Sequence, residues 1–453
     1  MRDATLTSDL DARLAGTPYQ GYAYAYPHKT AYRALEPSVP LRELWAGERR
    51  EALFLYVHVP FCEFRCGFCN LFTRANPADG LVARYLETLE RQVHQVRASL
   101  HDDVSYARFA IGGGTPTQLE AAELARLLDL AQGVLGADLP RIPTSCEMSP
   151  ETVDPEKLAL LAARGVDRAS LGVQSFLEDE ARAAGRPQRT ARVEQALGWI
   201  REVGFPVLNV DLIYGLPGQT AETWERSLRE ALAWRPEEVF LYPLYVRPLT
   251  GLSRRLPTTD PWREWPDDER LALYRLGRKR LLEAGYAQVS MRLFRAAHAP
   301  SVAGPDYCCQ ADGMIGLGCG ARSYTRGLHY SGEYAVGSRG VREILESWVE
   351  RDDASFARAD YGFLLDAEDQ RRRWAIQSLL WQEGLRFSEY RERFASDALT
   401  DLPQLGELEP RGLAVRSDEA LRLTPAGLER SDVLGPWLAS AKVQRLMEGY
   451  ALR

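Results

Sequence analysis

Apolar positions recur along the chain in two alternating periods. Short runs rich in Val, Ile, Leu and Tyr at 53–59, 107–111, 142–148, 168–173, 207–214 and 239–245 have the composition of buried strands. Between them, apolar residues fall at helical spacing over 81–100 (Val82, Leu86, Leu89, Val93, Val96) and 117–135 (Leu124, Leu127, Leu128, Leu135), and again over 190–203, 220–234 and 267–284. Asp154-Pro155 opens a further helix that stops at Gly165, the proline-first, glycine-last order of a capped helix. Strand–helix units in such succession predict a parallel sheet with right-handed crossovers, curled into a partial (β/α)6 barrel over 51–300.

Outside this repeat the pattern changes. Residues 1–50 read as an arm crowded with Tyr19, Tyr22, Tyr24, Tyr26 and Tyr32 beside His28 and Lys29. The alternation Tyr22-Ala23-Tyr24-Ala25-Tyr26 has strand period and predicts an edge strand, or in a functional reading an arm over an active-site mouth. Residues 301–365 are expected to extend the barrel on the substrate side. Helical spacing over 368–381, a second helix from Phe387 and a small alternating hairpin over 413–423 predict a mainly helical, winged-helix-like domain at 366–453. Its Asp397, Asp401, Glu407, Glu409, Asp418 and Glu419 suit no phosphate backbone, so its expected task is to cover the substrate side. The stretch 250–266, rich in proline and charge, is expected to be a long connection.

Charge narrows the partners. With 56 basic and 63 acidic residues the net charge is −7, which creates no field favouring nucleic acid or membrane and leaves a small molecule or peptide as the expected substrate. The start lacks an apolar signal core and nowhere do about eighteen apolar residues run together. Seven cysteines, three of them clustered, do not form a disulfide pattern, so a cytoplasmic setting is expected.

The clustered cysteines, Cys62, Cys66 and Cys69, follow the first strand directly. Thiolates so close in sequence can converge on one ion or cluster. Three of them leave one corner of a cube-shaped iron–sulfur cluster open for a ligand; a zinc site using His58 as fourth ligand is the alternative. The other strands also finish on unusual polar residues, and ligands of parallel barrels bind at strand carboxyl ends. Gly112-Gly113-Gly114-Thr115 follows the second strand, where the backbone can approach a ligand closely and Thr115 adds a hydroxyl. Glu147 ends the third, Gln174 follows the fourth, Asp211 lies near the end of the fifth, and Tyr245 with Arg247 follows the sixth. Glu147 and Asp211 are acids inside apolar strands, each needing a structural partner or a ligand's ammonium or hydroxyls. Arg186 is a carboxylate clamp or a surface salt bridge. Arg292 and Arg322 are candidate contacts for substrate carboxylates. Cys308, Cys309 and Cys319 are ordinary core or loop cysteines, or hydrogen-atom donors near the substrate.

These landmarks resemble the oxygen-independent coproporphyrinogen III oxidase-like (HemN-like) group of radical S-adenosylmethionine (SAM) proteins over nearly the whole chain. The matching stretches are LYVHVPFC with its cysteine loop, AIGGGTPT, SLGVQSF, GRPQ, NVDLIYGLPGQT and MIGLGCGA. The resemblance implies a 4Fe–4S cluster on Cys62, Cys66 and Cys69. It implies SAM held by Gly113, Gly114, Thr115, Glu147 and Arg186 at its methionine part and by Gln174 and Asp211 at its ribose. Reductive cleavage would give a 5′-deoxyadenosyl radical, fed by an electron donor such as flavodoxin or ferredoxin. Tyr56 matches a family tyrosine before the cluster loop and is expected, with Cys319, to be catalytic. A second SAM, walled by Tyr245–Arg247 and 318–323, is also implied. Two departures bear on the substrate: Leu71 stands where the oxidases have a fourth cysteine, and 305–313 lacks the signature of the haem-trafficking branch. The leading expectation is therefore carbon methylation from a second SAM, with porphyrinogen decarboxylation or a non-catalytic haem carrier as alternatives.

Overall fold

The computed structural model describes residues 9–22, 24–256, 269–301 and 307–453. Its centre is a run of parallel strands: β1 (Leu53–Val59), β2 (Tyr106–Gly113), β3 (Thr144–Met148), β4 (Arg168–Gln174), β5 (Val207–Tyr214) and β6 (Glu238–Pro243), hydrogen-bonded in that order. The helices between them are α1 (Leu81–Ser99), α2 (Ala121–Asp129), α3 (Pro155–Ala163), α4 (Thr190–Val203) and α5 (Ala221–Ala233), with α6 (Glu269–Glu283) after β6. Seven of the eight residues of β5 are buried, as befits a strand covered on both faces, and the one that is not is Asp211.

The sheet continues past both ends of the parallel run. Beside β1 lies Met314–Leu317, parallel to it, followed by the antiparallel strands Arg322–Tyr324, Leu328–Ser331, Arg358–Leu364 and Arg33–Pro40. Beside β6 lie Leu293–Ala296 and Tyr286–Gln288, both antiparallel, which completes a 13-stranded sheet. The sheet is thus a partial barrel with an antiparallel extension.

The sequence pattern and the structure differ in places, each for a local reason. The alternation Tyr22 to Tyr26 forms no strand; the described residues there are turn and bend, and Tyr22 and Tyr24 lay their rings on Arg292 instead of a neighbouring strand. The predicted helix over 117–135 is divided into a 3-10 turn (Pro116–Gln118), α2 and a π turn (Leu130–Val134); α2 starts where Glu120 and Glu123 form a capping box. β6 ends at Pro243, which puts Tyr245 in the loop beyond. Of the connection expected at 250–266, residues 257 onward lie outside the described residues, as do 302–306.

The C-terminal region is mainly helical around its own apolar cluster, with the hairpin Ala414–Arg416 and Ala420–Leu423 joined by Leu385–Arg386 into a small sheet. Leu10, Tyr26, Ala31 and Tyr32 from the arm belong to that cluster, and the Tyr26 hydroxyl donates to Asp369 at 3.0 Å. The arm therefore enters the C-terminal core on its way to β1.

Candidate active site

The carboxyl ends of β1 to β6 open into one cavity of about 530 Å³. Cys62, Cys66, Cys69, Gly113, Gly114, Thr115, Glu147, Gln174, Arg186, Asp211 and Tyr245 all line it.

Backbone bonds hold the cysteine loop against its neighbours. Gly114 donates its N–H to the Val59 carbonyl at 2.7 Å and Thr115 to that of Phe61 at 2.7 Å, so the glycine turn is strapped along the start of the loop. A Cβ on Gly114 would stand 2.5 Å from the Phe61 oxygen and 2.9 Å from Cys62 Sγ, a contact only glycine permits. From the far side Gly67 donates to Ala184 O at 3.1 Å and accepts from the Leu252 N–H at 2.6 Å. Thr115 Oγ1 lies 3.6 Å from Cys62 Sγ. Burial pushes the free Cys62 thiol up to about 12 and raises that of Cys66.

His58 is committed elsewhere. Its Nε2 lies 3.0 Å from the Phe72 carbonyl and its Nδ1 3.2 Å from the Tyr56 hydroxyl, and burial lowers its pKa to about 4. Among the described residues no three His, Cys, Asp or Glu side chains gather on a single ion-sized point. With both ring nitrogens engaged His58 is not free as a fourth zinc ligand, while the three thiols a cluster would need all line the cavity.

Glu147 opens onto the cavity yet lies deep in the protein; burial foremost raises its pKa, opposed by the Gly113 N–H that donates to its Oε2 at 2.9 Å. Its carboxylate lies over Gly112, where a Cβ would come within 2.7 Å of the carboxyl carbon. On β5, Asp211 accepts from Asn209 Nδ2 at 2.8 Å, and burial raises its pKa to about 6. Gln174 sits in the left-handed region (φ 67°) at a register shift between β4 and β5, an uncommon conformation for a residue other than glycine and one that turns its amide into the cavity.

Arg186 is 6% exposed, which corrects the surface salt-bridge reading. It reaches Cys66 Sγ at 3.2 Å, Gly172 O at 2.7 Å and Gln188 Oε1 at 2.8 Å, and among the described residues it has no carboxylate partner. A buried guanidinium facing a cavity without a counter-ion is a ready receptor for a ligand carboxylate.

Three expectations are corrected. Cys319 lies outside this cavity, 3% exposed beside the Met314–Leu317 strand, where burial raises its thiol well above the ordinary value. Arg292 is not free for substrate, since its Nη2 forms a buried bridge to both oxygens of Asp432 at 2.8 Å and touches the Tyr245 hydroxyl at 2.6 Å. Tyr56 does not line the cavity; its hydroxyl supports His58. Cys308 bonds Gln377, in the C-terminal region. Sequence reasoning missed Asn209, Ser149 and Ser170. The strand period places Asn209 and Asp211 on one face, a signal that was there to be read. Ser149 and Ser170 carried none.

The profile of the radical SAM superfamily matches residues 56–231, and that of the HemN C-terminal domain matches 365–429. A heme chaperone HemW of Synechocystis sp. is 30% identical over 314 residues, spanning 65% of this chain and 71% of its own. An oxygen-independent coproporphyrinogen III oxidase of Salmonella typhimurium is 28% identical over 431 residues, spanning 90% and 91%. The solved structure of the Escherichia coli coproporphyrinogen III oxidase HemN, a radical SAM enzyme, superposes with a TM-score of 0.74 over 93% of this chain and 97% of that one at 23% identity, which supports the fold. The chain is a radical SAM protein by its family match and its fold. Within that superfamily the chain belongs to the coproporphyrinogen III oxidase-like (HemN-like) family. A 4Fe–4S cluster, SAM, a small-molecule substrate and an electron donor come with that membership. Among the described residues no helix is long and apolar enough to cross a membrane.

Proposed function

We propose that the substrate is a porphyrinogen-class tetrapyrrole bearing carboxylate side chains, and that the reaction is its oxygen-independent oxidative decarboxylation. The observation that carries this reading is that one cavity is lined by two sets of charged side chains. One set is Glu147, Asp211 and Arg186, matched to the ammonium, hydroxyls and carboxylate of SAM; the other is Lys29, Arg247 and Arg322. A relative named as a coproporphyrinogen III oxidase, aligned over 90% of the chain, supports it. Carbon methylation has no support among the named relatives and no longer leads.

Cys62, Cys66 and Cys69 would hold the cluster, and Gly113, Gly114, Thr115, Glu147, Gln174, Arg186 and Asp211 would hold SAM. Together the cluster and SAM supply a 5′-deoxyadenosyl radical able to take one hydrogen atom from an unactivated carbon. Removing that hydrogen atom and one electron from a propionate, with loss of carbon dioxide, leaves a vinyl group; the electron needs a one-electron acceptor. The chain's part is to fix both ligands and exclude water, with the arm and the C-terminal region as roof. Tyr245 helps to anchor that roof through Asp432.

A second reading, a haem carrier, is favoured by Leu71, an apolar residue 48% exposed at the cavity where a cysteine is expected of the oxidases, and by the relative named heme chaperone. Anaerobic reconstitution with iron and sulfide, then reductant, SAM and coproporphyrinogen III, separates the two. Decarboxylation yields 5′-deoxyadenosine and carbon dioxide in step. Stoichiometric haem binding with intact SAM would replace it by the carrier, and S-adenosylhomocysteine would restore methylation.

A further inference from the structure

Buried and half-buried cations in this chain are met either by carboxylates or, as with Arg186, Arg270 and Arg373, by backbone carbonyls. Arg292 pairs with Asp432, Arg168 with Glu238, Arg201 with Glu237 and Lys442 with Asp369. Lys29 and Arg322, like Arg247 on the same cavity, have neither kind of partner among the described residues. Both line the cluster cavity, and among the described residues neither side chain has a carboxylate partner or a hydrogen bond. The Lys29 ammonium lies 3.5 Å from the centre of the Tyr334 ring, whose hydroxyl donates to Asn70 O at 2.7 Å in the cluster loop. The guanidinium of Arg322 stands 5.9 Å from the Tyr324 ring. Aromatic faces attract cations only modestly and do not replace a counter-ion for a charge withdrawn from water. The arm places Lys29 here: Lys29–Ala31 form a tight turn, and Tyr26 just before it is fastened to Asp369.

We propose that Lys29 and Arg322 form a carboxylate subsite in the same cavity as the proposed SAM contacts, so that the arm contributes a specificity-determining residue to it. The inference rests on the cavity being an active site. Two uncompensated charges destabilise the free protein and are repaid only when an anion sits between them. The carboxylate has two sources, a substrate side chain or the methionine end of a second SAM, and both present the same oxygens.

The test uses the full-length, anaerobically reconstituted protein. Coproporphyrin III and its tetra-amide are titrated by absorbance into wild type, Lys29→Gln, Arg322→Gln and Lys29→Arg, and bound SAM per chain is counted by equilibrium dialysis. The expected result is roughly tenfold tighter binding of the acid than of the amide by wild type, lost in both Gln variants and retained in Lys29→Arg. Thermal midpoints of the free Gln variants should equal or exceed that of wild type, because an unpaired charge is gone; a structural role would lower them. If acid preference is unchanged but the Gln variants lose one SAM equivalent, the same subsite serves a second SAM. Equal binding of acid and amide by wild type, with SAM counts unaltered in every variant, overturns the subsite. Wild type that makes 5′-deoxyadenosine while showing that result loses the subsite alone; wild type that makes none loses the active-site reading itself.

Discussion

Nη1 of Arg186 lies 3.2 Å from Sγ of Cys66, so a side chain that faces the SAM cavity also touches a thiol of the cluster loop. The same guanidinium donates to Gly172 O and to Gln188, a fork that an ammonium cannot reproduce. Arg186→Lys is expected to lower SAM affinity about tenfold while leaving iron content unchanged, measured by equilibrium dialysis and iron assay.

Replacing any one of Cys62, Cys66 and Cys69 by Ala should abolish the visible iron–sulfur absorbance and 5′-deoxyadenosine formation, since among the described residues no fourth cysteine lines the cavity. His58→Ala should keep its iron, because both ring nitrogens already serve Phe72 and Tyr56. Loss of metal from the His58 variant, with zinc in the wild type, would reverse the assignment of the site.

Gly112 bears on the proposed SAM contact of Glu147. A methyl group there would drive the carboxylate from its place over the glycines, where it accepts from Gly113 N–H. Gly112→Ala should therefore weaken SAM binding as much as Glu147→Gln, about tenfold or more, with little change in cluster content.

Asp211 sets stability against binding. Its folded value of about 6 exceeds the ordinary 3.8. The fold thus favours the protonated acid, and that stability is full below 3.8 and lost as pH rises through 6. Binding ribose hydroxyls as an acceptor needs the opposite form. Asp211→Asn should raise the thermal midpoint at pH 7, by about 1–3 kcal/mol in stability. Between pH 7 and 5 wild type should lose SAM affinity and the Asn variant should not, which calorimetry at several pH values will read.

The bridge from Arg292 to Asp432 is almost fully buried, with side chains 3% and 0% exposed. Removing one partner strands the other charge. Asp432→Ala should cost about 3–5 kcal/mol in urea unfolding, and Arg292→Met with Asp432→Leu should recover most of it.

The barrel was legible because parallel strands covered on both faces read as apolar runs, and the residues breaking those runs, Glu147 and Asp211, line the cavity. Contacts between distant parts of the chain left no such trace. Nothing local marks Arg292 as spoken for by Asp432, 140 positions later, or Cys319 as turned away from the cluster. Tyrosines at strand spacing misled because their rings stack on an arginine rather than on a sheet. Lys29 and Arg322, 293 positions apart by their numbers, could be seen as a pair only in three dimensions.

The arm and the loop after β6, which both line the cavity, are fastened to the C-terminal region: Tyr26 to Asp369, and Tyr245 to Asp432. During synthesis the cysteine loop leaves the ribosome hundreds of residues before those ties can close. At about 5–20 residues per second the arm and the cysteine loop thus wait on the order of tens of seconds for their anchors, so these ties are among the last contacts the chain can make.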